Sequence, residues 1–192
     1  IILVGKTGSG KTTIRDWISD NLRYDKIVTY TTRPPRPHEV NGEDYNFIEP
    51  DVFDMKNLIL KTRINGNDYG VLTEDLNREN IIMILDPAGI RELRDRGYNF
   101  KSFMIECPTY LRYKRCLDRG DDEKSVLARI GKELYDFDGF VPDFVIDNSA
   151  DDFMPAVISI LEKIREVADC SRLNFTKYEK FRRLNVVTAI LT

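Results

Sequence analysis

The chain has 192 residues, 42% hydrophobic and 32% charged, a balance that excludes both a disordered polar tract and a bilayer-embedded protein and fits one soluble domain with a small appendage. Its 29 basic residues nearly balance 32 acidic ones, so the net charge of −3 gives no general attraction to nucleic acid or to an anionic membrane, and any anion site must be local. Apolar runs such as Ile81–Leu85 fall far short of the roughly 20 residues a bilayer span needs, and Cys107, Cys116 and Cys170 show no CxxC or His pairing, so a reducing cytoplasm without disulfides or zinc is expected.

In chain order, the sequence predicts a strand at Ile1–Val4 and a helix at Thr12–Leu22, then a strand at Ile81–Leu85 and a helix at Ala88–Arg96. A strand at Phe100–Glu106 and a helix at Tyr110–Leu117 follow, and a strand at Phe144–Asp147 precedes a helix at Asp151–Val167. The strands lack polar alternation, as strands covered on both faces do, so the rhythm predicts an α/β fold with a parallel sheet flanked by helices. Pro87 and Pro108 each follow a strand, where proline can open the next helix. No basic leader ending in a small-residue cleavage site is visible, and a chain that begins at Ile1 leaves open residues ahead of it.

Two regions break the rhythm. Residues 31–72 are rich in Pro, Gly and Asn, with alternating segments at Tyr45–Ile48, Leu58–Ile64 and Asp68–Leu72 that predict a small inserted β-lobe. Residues 119–140, a charged helical stretch between Arg119-Gly120-Asp121-Asp122 and Asp138-Gly139, suit a lid. The expected division is a core of 1–30, 73–118 and 141–169, a lobe of 31–72, a lid of 119–140 and an extension of 170–192. In that extension Arg172, Lys177, Lys180, Arg182 and Arg183 outweigh Glu179, and Phe175, Tyr178, Phe181 and Leu184 recur every third residue. This predicts a basic amphipathic helix that packs on its own domain or joins copies of the chain.

The strongest signal is Gly5-Lys6-Thr7-Gly8-Ser9-Gly10-Lys11-Thr12, which fits G-x-x-x-x-G-K-[ST] directly between an apolar strand and a helix. The glycines let the backbone curl so that successive N–H groups face phosphate oxygens, and the helix dipole adds positive potential. Lys11 is expected to reach the β- and γ-phosphates of ATP and Thr12 to hold Mg²⁺ through its hydroxyl, with Gly5, Thr7, Gly8, Ser9, Gly10 and Thr13 completing the ATP-binding loop. Many proteins with such a loop are switches, motors or transporters, so the loop alone does not identify what receives the phosphoryl group.

A second anion site is suggested by Thr31-Thr32-Arg33-Pro34-Pro35-Arg36-Pro37, a proline-stiffened loop whose arginines can fork around a terminal phosphate. With the stretch Thr31–Phe47, the pair Tyr69-Gly70, the strand end Leu85-Asp86-x-x-Gly89 and Arg119-Gly120, the chain resembles the guanylate kinase family from Ile1 to about Ile164. The resemblance implies a P-loop kinase fold with a monophosphate-binding lobe and a lid. It also implies that Arg33, Arg36, Tyr45 and Tyr69 grip the phosphate of a nucleoside monophosphate and that Arg119 and Arg129 neutralise charge on the transferring group. Lys11, Arg33, Arg119 and Arg129 are then the catalytic set, and Asn148, after Val145-Ile146-Asp147, resembles the adenine-side loop, a plain turn being the alternative. Asp86 stands either near Mg²⁺ or the acceptor, or as the cap of the helix after Pro87.

The departures bear on specificity. Aligned through Gly66 and Tyr69-Gly70, the guanine-reading glutamate of the family falls on Leu60 and its hydroxyl residue on Val71, while the first carboxylate of its Asp-x-Asp falls on Ile84. Thr29 keeps a hydroxyl at the remaining base-facing position. An apolar wall of Leu60, Val71 and Ile84 would suit a pyrimidine or a deoxynucleotide; alternatively the alignment slips and Glu49, Glu74 or Asp86 supplies the carboxylate. His38 needs no role as a base, because an acceptor phosphate is already ionised, and is expected on a loop surface. Cys107 and Cys116 read as small apolar packers.

The expected function is therefore ATP-dependent phosphorylation of a nucleoside or deoxynucleoside 5′-monophosphate, GMP or another, with Mg²⁺, in the cytoplasm, without nucleic-acid or membrane partners. The alternatives are a catalytically silent interaction scaffold of the same fold, against which the intact Gly5–Thr13 loop argues, and a sugar-phosphate kinase, against which the arginine loop argues.

Overall fold

The chain runs through β1 (Ile2–Val4), α1 (Lys11–Asn21), β2 (Asp25–Lys26), β3 (Tyr30–Thr31), β4 (Asn46–Phe47), α2 (Pro50–Met55), β5 (Leu58–Ile64) and β6 (Asn67–Leu72). It continues through a 3-10 turn at Asp75–Asn77, then β7 (Ile81–Ile84), α3 (Pro87–Asp95), β8 (Ser102–Glu106), α4 (Thr109–Asp118), α5 (Glu123–Asp136), β9 (Phe144–Asp147) and α6 (Met154–Val167). This computed structural model describes residues 1–36, 39–64 and 66–167, so the expected extension helix, with its oligomer contact, and the surface position of His38 lie outside the described residues.

Five strands form the core sheet in the order β2-β7-β1-β8-β9, with every pairing parallel. Each face carries its own apolar cluster, which is why β1 and β7 are apolar at every position. On one face Leu3, Ile82, Phe103 and Ile105 pack against Ile14 and Ile18 of α1 and Ala156, Val157 and Ile160 of α6. On the other, Ile2, Val4 and Met83 meet Ile90 and Leu93 of α3 together with Leu60 and Val71. The second cluster thus ties the inserted lobe to the core.

The lobe is a separate four-stranded sheet in the order β4-β3-β6-β5, antiparallel except for β3 against β4. Pairing between β5 and β6 slips between Ile59 and Thr62, and Leu60 sits in this bulge at φ +54°, a left-handed conformation uncommon for a leucine. The bulge turns Leu60 into the core cluster, where it is 2% exposed.

Several boundaries differ from those expected. The strand expected from Phe100 starts at Ser102, where the Asp143 carboxylate takes the Ser102 N–H at 2.8 Å. The helix expected from Asp151 starts at Met154, whose amide donates to Asp152 at 2.9 Å and so halts the helix before it. The elements β2, β3 and α2 were not expected: the strands are two residues each and exist through pairing with neighbours, and α2 is a six-residue helix opened by Pro50.

Candidate active site

The phosphate loop joins β1 to α1. Gly8, at φ +76°, passes so close to α4 that a Cβ would lie 2.4 Å from the Arg112 carbonyl oxygen. Gly10, at φ +92°, caps α1, and a Cβ there would meet the Asn148 amide nitrogen at 2.3 Å. Only glycine fits such an approach at such a φ. Lys11 folds over the loop and donates to the carbonyl oxygens of Gly5 at 2.7 Å and Lys6 at 3.0 Å. Burial pushes its ammonium down to about 8, with the Glu133 carboxylate opposing and the Arg112 and Arg119 charges adding to the shift. Lys11, Thr12 and Thr13 line a cavity of about 790 Å³, so the loop fits a polyphosphate with Lys11 as counter-charge and the Thr12 hydroxyl as a hard oxygen donor for Mg²⁺.

The arginine loop faces the same cavity. Glu39 binds both arginines: Arg33 Nη2 donates to its two oxygens at 2.9 and 2.8 Å, Arg36 Nη1 donates at 3.1 Å, and the Arg36 amide donates at 2.8 Å. Burial works to raise the Glu39 carboxyl, but the Arg36 amide and the Arg33 guanidinium outweigh it and hold it below the usual carboxylate range. The Arg33 guanidinium lies 5.2 Å from the centre of the Tyr45 ring and 5.5 Å from that of Phe47, and Tyr45 meets Tyr69 edge to face at 6.0 Å. Burial raises the Tyr45 hydroxyl, so it stays a proton donor. Arg33, Arg36, Tyr45 and Tyr69 all line the cavity.

A second carboxylate organises the lid arginines. Asp121 accepts from Arg119 Nε at 3.0 Å, from Arg119 Nη2 at 2.6 Å and from Arg129 Nη2 at 2.5 Å. Its side chain is 2% exposed; burial works to raise its pKa, but the two guanidiniums hold it well below the usual carboxylate range. Arg129 projects from α5, whose first turn is capped by Asp122 accepting the Ser125 amide at 2.9 Å. Arg36 feels the charges of Arg129 and Asp121, and Arg119 feels that of Glu39, so the two arginine pairs share one electrostatic neighbourhood. Four guanidiniums against two carboxylates leave an excess positive charge that a phosphate can take up.

Most residues expected at the site come together. Gly5, Thr7, Thr29, Leu60, Val71, Ile84, Asp86, Arg119 and Arg129 line the cavity with those already named. Gly8, Ser9 and Gly10 belong to the loop but do not line the cavity. Asn148 does not line the cavity: it is buried, and its Nδ2 donates to the Ser9 carbonyl at 2.8 Å, which braces the phosphate loop. Asp86 takes the capping role, its Oδ1 accepting the Gly89 amide at 2.7 Å. Its Oδ2 accepts from the Thr62 hydroxyl at 3.2 Å, which ties Asp86 to the lobe. Of the alternative carboxylates, Glu49 and Glu74 are exposed and do not line the cavity. Leu60 and Val71 share one core cluster and Ile84 packs against the other, and all three line the cavity.

Sequence reasoning missed four participants. Glu39 and Asp121 each sit within three residues of an arginine they bind, a spacing that marks an ion pair. Thr62 and Glu133 carry no local signal, since their partners are 24 and 126 residues away.

A nucleotide loop that faces a second, arginine-built phosphate grip, with lid cations reaching the same cavity, is the arrangement of a nucleoside monophosphate kinase. The sequence profile of the guanylate kinase family matches residues 1–164. The chain is 30% identical to guanylate kinase of Thermotoga maritima over 94% of this chain and 93% of that relative. It is 34% identical to guanylate kinase of Geobacter sulfurreducens over 67% of this chain and 68% of that relative. The crystal structure of guanylate kinase from Anaplasma phagocytophilum shares the fold, with a TM-score of 0.65 at 20% identity over 90% of this chain and 88% of that one. The chain belongs to the guanylate kinase family. No helix among the described residues is long and apolar enough to cross a membrane.

Proposed function

We propose that the protein transfers the γ-phosphoryl group of ATP to the phosphate of a nucleoside 5′-monophosphate, giving the diphosphate and ADP. The observation that carries this reading is that Lys11 and Thr12 on one side, and Arg33, Arg36, Tyr45 and Tyr69 on the other, line a single cavity. Relatives named guanylate kinase make GMP and dGMP the reference acceptors.

In the proposed reaction an ionised oxygen of the acceptor phosphate attacks the γ-phosphorus, the bond from that phosphorus to the β,γ-bridging oxygen breaks, and ADP leaves. No general base is required. Arg33 and Arg36 exchange Glu39 for acceptor phosphate oxygens and hold them in line, with the Tyr45 and Tyr69 hydroxyls as further donors. Lys11 neutralises the β- and γ-phosphates, and Arg119 and Arg129 offset charge that spreads over the transferring group. The Thr12 hydroxyl would hold Mg²⁺ in part, and the ion would supply positive charge against that of the ATP phosphates. A cytoplasmic setting accords with these substrates, and the intact loop and paired arginines favour catalysis over a scaffold.

The test is ADP release from Mg-ATP with each ribo- and deoxyribonucleoside monophosphate in turn, repeated with excess chelator. Turnover that needs both an acceptor and Mg²⁺ is expected; no ADP with any acceptor would overturn the reading.

A further inference from the structure

The phosphate loop is held from outside as well as by its own glycines. At Thr7 both backbone polar groups are engaged: the amide donates to Glu133 Oε1 on α5, and the carbonyl oxygen accepts Arg112 Nη1 of α4 at 2.9 Å. The same Arg112 nitrogen donates to Glu133 Oε2 at 2.9 Å, and Arg112 Nη2 donates to the Thr109 hydroxyl at 3.3 Å. One turn beyond Glu133, the Lys6 ammonium of the loop lies 5.8 Å from the centre of the Phe137 ring. A buried ion pair gains little stability over apolar residues of the same volume, because desolvation offsets its attraction; what it adds is a fixed hydrogen-bond geometry.

The helices joined by this pair carry the two lid cations. Arg112 and Arg119 stand two turns apart along α4 and its C-terminal cap, and Arg129 and Glu133 stand one turn apart on the same face of α5. Asp121 binds Arg119 to Arg129, so the two guanidiniums are held as one unit. The Arg112–Glu133 pair fixes where that unit stands relative to Thr7 and, one helical turn on, Lys11. A displacement of about 1 Å at such a site is enough to cost a large part of the rate.

Resting on the kinase reading above, we infer that Arg112 and Glu133 are positioning residues for phosphoryl transfer: their ion pair latches the lid helix to the phosphate loop at Thr7 and so holds Arg119 and Arg129 over the group that Lys11 binds. Burial dominates the lowered pKa of Lys11, and Glu133 and Arg112 act on it in opposite senses. A variant that loses both therefore keeps the burial effect and drops two opposing ones.

The experiment uses the full chain and the double variant Arg112→Met/Glu133→Met, which removes the buried charges together and keeps similar volume, so the melting temperature is expected to hold. At saturating Mg-ATP and the best nucleoside monophosphate, kcat of the double variant is expected to fall about tenfold or more, with the acceptor KM within about twofold because Arg33 and Arg36 are untouched. Amide hydrogen exchange without ligands is expected to quicken about tenfold along α5 while β1 and β8 stay protected. Should the double variant not fold, Glu133→Gln, nearly the same shape, is read in the same two ways. A folded variant with kcat near that of the parent overturns the inference and leaves the kinase reading standing. So does tighter ATP binding with kcat intact, which would make Glu133 an occupant of the phosphate site. If the parent chain turns over no acceptor, the kinase reading falls by itself and exchange decides the latch: faster α5 exchange supports it and unchanged exchange overturns it.

Discussion

The Glu133 carboxylate, on the lid helix α5, accepts a hydrogen bond from the Thr7 amide in the phosphate loop. Its other oxygen takes Arg112 Nη1 at 2.9 Å, and the same nitrogen donates to the Thr7 carbonyl at 2.9 Å. Lid, phosphate loop and α4 therefore meet at one buried ion pair, with side chains 10% and 4% exposed.

Removing one member of that pair leaves a buried charge alone. Glu133→Ala is expected to lower unfolding stability by about 3 kcal/mol, because it orphans the Arg112 guanidinium and the Thr7 amide together. Urea melts of Glu133→Ala, Arg112→Ala and the double variant check this. The double variant should cost clearly less than the two single losses added, and simple additivity would deny the coupling.

Lys11 in the free protein sits at about 8 because burial disfavours its charge. A polyphosphate beside it favours the charged form and raises the pKa, so nucleotide binding near pH 8.5 takes up a proton, and affinity falls as pH climbs above about 8. Calorimetry of ATP binding in two buffers of different ionisation enthalpy reads the uptake directly. Lys11→Ala should abolish the uptake and lower kcat about 10²-fold or more with the fold retained. Retained turnover in that variant would remove Lys11 from the mechanism.

The phosphate loop was legible because its function is written in contiguous residues: Gly5 to Thr12 lie between strand and helix in the chain, and the fold has only to preserve that order. The arginine loop was half legible. Arg33 and Arg36 stood out, while the carboxylate that arranges them, Glu39, passed as part of a pattern. Where the partners are remote, local reading has no signal: the bond from Asn148 to the Ser9 carbonyl joins residues 139 apart. Ile84, at the end of β7, packs on a different core cluster from Leu60 and Val71 though all three line the cavity, and such a face depends on pairing that spacing alone does not supply. Strands of two residues, such as β2, have no periodicity to read.

Arg33 does more than carry charge. Its guanidinium is planar, stacks near Tyr45 and Phe47, and forks onto a carboxylate whose place a phosphate can take. Lysine keeps the charge but neither the fork nor the stacking. Arg33→Lys is therefore expected to raise the acceptor KM about tenfold or more while leaving the KM for ATP and the melting temperature nearly unchanged. Steady-state kinetics with each substrate varied in turn check it, and an unchanged acceptor KM would place the acceptor phosphate elsewhere.

Asn148 offers the sharpest contrast between bracing and binding. Its Nδ2 donates to the Ser9 carbonyl and stands where a Gly10 side chain would be, while its Oδ1 is buried without a protein partner. The donor matters more than the acceptor, because the Ser9 carbonyl belongs to the loop that Gly10 and Lys11 continue. Asn148→Ala removes the donor and is expected to cost about 1–2 kcal/mol of stability. Asn148→Asp substitutes an acceptor facing an acceptor and should cost more, with a KM for ATP raised in step with the loosened loop. Thermal melts alongside ATP kinetics separate the two roles. A brace predicts that stability and ATP affinity fall together and that Asp is worse than Ala, whereas a base-contacting residue predicts a raised KM for ATP with the melting temperature intact.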